Sequence, residues 1–160
     1  MWKKLICVLA FSGLSNAWAG PYDPMITKPW AGESVPGQTS VTLQLDLTTV
    51  KAVDLISASS PAATSIEIHN LTRGRDGMKV QVMPKLKLQD HTTTLFGTRG
   101  LFLMMNGLKQ PLVSGERIPV TLTFSFADKQ TKSITTMAEV RKMDLSYKNF
   151  GPKEIYQDRR

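Results

Sequence analysis

The chain has 160 residues, a formal net charge of +7, 41% apolar residues and 21% charged residues. That length holds one domain with tails, which excludes a large multidomain enzyme. The balance of apolar and charged residues fits neither a disordered polyelectrolyte nor a polytopic membrane protein.

The first nineteen residues read as a secretory signal peptide. Lys3 and Lys4 precede an apolar run from Leu5 to Leu14, and Ala17-Trp18-Ala19 supplies an A-x-A signal that predicts cleavage after Ala19. The run falls short of the roughly 20 residues that cross a bilayer, so the mature protein is not expected to be integral to a membrane. Cys7, the sole cysteine, sits in this segment outside the setting of a lipid acceptor. The mature chain therefore lacks a thiol, which excludes a disulfide framework, a cysteine nucleophile and every thiolate metal site. Cleavage also removes Lys3 and Lys4, and the mature charge becomes 18 − 13 = +5. No basic helix with interleaved aromatics is present, so nucleic acid is not an expected partner. Weak contact with anionic lipid or with an acidic protein stays open beside a plain solvated surface.

Residues 20–36 are rich in Pro and Gly and read as an extended lead-in. Val41, Leu43, Leu45 and Leu47 then alternate with Thr42, Gln44, Asp46 and Thr48, the period of a half-buried strand. A short strand over Leu55–Ala58 follows. Ile66 and Ile68 alternate with Glu67 and His69, and after the turn Gly74-Arg75-Asp76-Gly77 the alternation resumes at Met78, Val80 and Val82, which predicts a hairpin over Ser65–Val82. Leu86 and Leu88 carry another short strand. Leu101–Met105 is apolar throughout and predicts a strand buried on both faces, closed by Asn106-Gly107. Val120–Phe126 and Thr131–Val140 complete about eight short strands with no helical period, an all-β sandwich or barrel. Residues 141–160 mix six basic with three acidic residues and read as an exposed, flexible tail.

Chemistry-bearing residues are few. His69 and His91 are the only histidines, and the sequence contains no phosphate loop, H-E-x-x-H, G-x-S-x-G or calcium loop. Catalysis is not expected. His91 lies in the polar turn Gln89-Asp90-His91-Thr92 and reads as solvated. Seven methionines remain after processing, at positions 25, 78, 83, 104, 105, 137 and 143. Thioether sulfur is soft and suits Cu(I), although most methionines simply fill cores.

Several runs carry a resemblance: Trp30-Ala31, Val35-Pro36-Gly37-Gln38-Thr39, Ala58-Ser59-Ser60-Pro61-Ala62-Ala63, Ile66-Glu67-Ile68-His69, Gly107-Leu108-Lys109-Gln110-Pro111-Leu112 and Gly115-Glu116-Arg117-Ile118-Pro119-Val120-Thr121-Leu122-Thr123-Phe124. In order and spacing, over about residues 26–140, they resemble the periplasmic PCu(A)C copper chaperones. The resemblance implies a cupredoxin-like Greek-key β-barrel over residues 20–140 that carries Cu(I) towards the CuA centre of cytochrome oxidase. It also implies a donor or acceptor metalloprotein as partner.

That family's copper motif, H-x10-M-x21-H-x-M, falls on His69, Val80, Phe102 and Met104, so two donors match and two are replaced. Met78 lies two residues before Val80 and shares its strand face, which makes it a candidate substitute, whereas Met83 and Met105 face the other way and read as core. The resulting ligand set is His69, Met104 and Met78. Phe102 supplies no lone pair. Two functions follow as expectations: a weak Cu(I) carrier, or a metal-free module of the same fold that binds another periplasmic protein.

Overall fold

A computed structural model describes residues 22–75, 77–97 and 100–142. The signal segment and residues 143–160 of the tail lie outside them. The described chain is all strand: β1 (Met25–Gly32), β2 (Ser40–Thr49), β3 (Val53–Ser59), β4 (Ala63–Gly74), β5 (Gly77–Met83), β6 (Leu86–Leu88), β7 (Thr92–Phe96), β8 (Leu101–Leu108), β9 (Arg117–Ser125) and β10 (Thr131–Arg141). Seven of these close a barrel in the order β4-β8-β2-β1-β10-β9-β3, with Ala58 on β3 paired to Ile66 on β4. The expected all-β barrel is the fold of the chain.

Alternation decides which face is inside. On β2, Val41, Leu43, Leu45 and Leu47 are buried, and on β9 the same holds for Ile118, Val120, Leu122 and Phe124. These side chains and Leu55, Ile66, Ile68, Leu103, Met105 and Val140 form one continuous core. Nonpolar burial of this kind drives the fold, at roughly 25 cal/mol per Å2 removed from water.

Ten strands replace the eight expected, and the two additional ones have physical reasons. β1 lies in the segment read as a lead-in, yet it is central, antiparallel to β2 and parallel to β10. Its alternation is broken by a register shift between Thr27 and Trp30, where Lys28 takes a φ of 49°. A bulge of this kind also accommodates Pro29, which a regular central strand would not. β7 is largely threonine, and its two apolar residues, Leu95 and Phe96, are adjacent, so no alternation signals it. The expectation for Leu101–Met105 is corrected as well. Leu103 and Met105 are buried and Leu101 is half-buried against the same core, while Phe102 and Met104 are half-buried on the outer face.

Near the closing pair, β3 and β4 splay apart. β5 takes over the edge of β4 from Ile68 onwards, and β6 takes that of β3 at Val53–Leu55. The predicted hairpin is present, with Gly74 opposite Gly77. Pairing of β4 with β8 ends at Asn70–Leu101, so residues 71–74 pair with β5 alone and the hairpin's end stands off the barrel as an arm. Its last anchor is the Leu71 amide, which donates to the Gly100 carbonyl at 2.6 Å.

Candidate metal centre

His69 lies on β4, one residue beyond the core side chain Ile68, so strand parity sends its imidazole outward. Its direct cross-strand neighbours are Phe102 on β8 and Val82 on β5. The imidazole and Phe102 rings are tilted by 50° with centroids 5.4 Å apart. This packing leaves the His69 side chain 14% exposed.

Met104 is opposite Glu67 on β4 and is therefore a diagonal neighbour of His69. Diagonal pairs have backbones about 7–8 Å apart, a separation that long side chains bridge. Imidazole nitrogen and thioether sulfur can thus approach one ion from adjacent strands. Val80 is opposite Leu71 and flanks His69 on the other diagonal. The other three positions of the H-x10-M-x21-H-x-M spacing therefore surround His69 on one outer face, Val80 and Met104 on opposite sides of it, although only His69 and Met104 bear donors.

Met78 does not join them. It pairs with Arg73, four residues along β4 from His69, which is about 14 Å at roughly 3.4 Å per residue. Met104 lies on the opposite side of His69, so no single ion can be shared by Met78 and Met104. Strand parity placed Met78 on the correct face, but the distance along the strand removes it from the centre. Met105 is fully buried and Met83 packs against the core, so neither faces the centre. His91 is in an exposed turn at a φ of 48°, remote in sequence and fold from the β4–β8 face.

One participant was missed by sequence reasoning. The Glu67 carboxylate is 2.9 Å from His69 Nε2. The signal was the E-x-H spacing, because residues i and i+2 of a strand share a face. Glu67 orients the imidazole through this hydrogen bond and places a hard oxygen beside the softer donors. With Glu67 as acceptor, the neutral ring donates from Nε2 and holds its lone pair on Nδ1. A metal at Nε2 must displace the carboxylate or share it. Among the described residues, no group of three or more His, Cys, Asp and Glu side chains converges as a metal site. His69 and Met104 are thus the two candidate donors on this face, with Glu67 hydrogen-bonded to His69 and Phe102 packed across from it.

Comparison with known proteins agrees with the barrel fold. A family model described as "Putative lipoprotein LpqE-like" matches residues 14–137. A curated "Putative lipoprotein" of Leifsonia xyli subsp. xyli (strain CTCB07) is 28% identical over 102 residues, 62% of this chain and 61% of that protein. The match thus spans less than two thirds of that relative's length. Among solved structures, the copper-bound PCuAC domain from PmoF2 is 17% identical with a TM-score of 0.62, covering 75% of this chain and 93% of its own. The solution structure of Cu(I)-DR1885 from Deinococcus radiodurans is 27% identical with a TM-score of 0.57, covering 80% of this chain and 83% of its own. The seven-stranded barrel has the fold of PCuAC domains, and by the match over residues 14–137 the chain belongs to the LpqE-like family.

Proposed function

We propose that the protein is an exported, copper-chaperone-like carrier that holds Cu(I) weakly between His69 and Met104 and hands it to an acceptor metalloprotein, such as one bearing a CuA centre. The observation that carries this reading is the diagonal placement of an imidazole and a thioether on adjacent strands, at positions matching the copper motif. Cu(I) accepts low coordination and soft donors, so two ligands suffice for loose binding. Low coordination leaves room for an acceptor's sulfur or imidazole to join before His69 and Met104 let go, and the ion moves by ligand exchange without release into water. Phe102 limits water access on one side, and Glu67 competes for Nε2, which keeps the grip loose.

Export rests on the signal in residues 1–19, in keeping with the lipoprotein description of the family and the relative. A periplasmic location rests on the resemblance to the periplasmic PCu(A)C chaperones. No helix among the described residues is long and apolar enough to cross a membrane.

A second reading is supported by a specific observation: Val80 and Phe102 replace two donors, and Glu67 already occupies the His69 nitrogen. In it the barrel is a metal-free interaction module. Titration of the mature domain with Cu(I) against a chromophoric chelator distinguishes the two. The carrier reading expects His69→Ala and Met104→Ala each to weaken competition, with Met78→Ala unchanged. Equally poor competition by wild type and all variants would leave the metal-free module.

A further inference from the structure

The arm formed by the ends of β4 and β5 has no task in copper ligation. β5 is the terminal strand of the sheet path, and among the described residues its pairing is with β4 alone. Met78, Val80 and Val82 are 60%, 55% and 54% exposed, and parity aligns all three on one face. An exposed apolar edge strand with a free row of backbone donors and acceptors is a template for strand addition. A two-stranded ribbon is also marginal by itself, so a covering partner would stabilise it.

We infer that β5 is the docking edge for an extended, acidic segment of a partner protein, which adds as a further strand and lays apolar side chains on Met78, Val80 and Val82. Charge selects this occupant. Across residues 70–83 the sequence carries Arg73, Arg75 and Lys79 against the single acid Asp76. A second copy of the chain would bring the same cations together in a symmetric pairing, which like charges oppose. A bilayer fits less well. The turn sequence Gly74-Arg75-Asp76-Gly77 offers no apolar tip, and Lys79 and Gln81 point from the other face of β5, both exposed.

The apolar stripe is continuous with the His69 face. Val82 sits directly opposite His69, and Val80 is diagonal to it. A segment seated on β5 would therefore place its end beside the candidate metal centre, whether or not the centre holds copper.

The test uses the metal-free mature protein and a ten-residue peptide alternating valine and glutamate, with amide resonances as the readout. The peptide is expected to shift the amides of residues 77–82 and slow their hydrogen exchange. A valine–lysine peptide should bind about tenfold more weakly or not at all. Two double variants of exposed side chains, Val80→Lys with Val82→Lys and Arg73→Glu with Lys79→Glu, should each weaken the acidic peptide about tenfold at unchanged Tm. The inference is overturned if these amides do not move at millimolar acidic peptide, or if they respond equally to the lysine peptide. It is also overturned if they move only with phosphatidylglycerol vesicles, or if sedimentation shows a dimer formed through β5. Because the readout contains no metal, failure here leaves the Cu(I) titration untouched, and failure of that titration leaves this inference standing.

Discussion

Replacing Phe102 by His and Val80 by Met would return two donors to the outer face of β4, β5 and β8. The Phe102 ring is directly across from His69 with centroids 5.4 Å apart. Two nitrogens bound to one ion at roughly 2 Å each are about 4 Å apart, so imidazoles with this ring spacing can share a metal after small side-chain rotations. Val80 is diagonal to His69 and 55% exposed, so its methionine must reach further and give up more rotamer freedom. Phe102→His should therefore produce the larger part of the gain. Every tenfold in affinity corresponds to about 1.4 kcal/mol, and raising the donor count from two to four should tighten Cu(I) by well over tenfold. Both side chains point away from the core, so unfolding free energy should change by no more than about 1 kcal/mol, mostly from the lost Phe102 contact. Competition against a chromophoric Cu(I) chelator measures the first quantity and urea denaturation the second. A folded double variant whose Cu(I) affinity equals that of wild type would refute the assigned register and the centre built on it.

Two further predictions concern the frame that holds this face. Gly100 has a φ of +85°, and a Cβ there would be 2.5 Å from the Leu71 carbonyl oxygen, a backbone atom with little freedom to move. Gly100→Ala should destabilise the protein by about 1–3 kcal/mol and speed exchange of the Leu71 amide at the root of the arm; unchanged Tm and protection would contradict the geometry. Met105→Ala, which empties a fully buried site, should cost about 2–5 kcal/mol in urea denaturation. Met104→Ala, one residue earlier and facing outward, should cost less than about 1 kcal/mol. Equal losses would mean that the faces of β8 are interchanged.

The difference between those neighbouring methionines illustrates how local and long-range information divide. Face is a local property, because side chains alternate along any strand, so the inward Val41, Leu43, Leu45 and Leu47 and the outward His69 follow from period two alone. The all-β class, the β4–β5 hairpin and the core role of Met105 were legible for the same reason. β1 was not, because its bulge between Thr27 and Trp30 breaks the alternation, and its place between β2 and β10 depends on partners distant in the chain.

Position along a face is a pairing property. Phe102 meets His69, Met104 falls on the diagonal and Met78 lies four residues away because β4 pairs with β8 and β5 in one particular register. Parity along one strand carries no information about that register. Side-chain type and alternation therefore determined which residues look outward and which donors exist, while the long-range pairing of β4 with β8 and β5 determined which of those donors can meet at one ion.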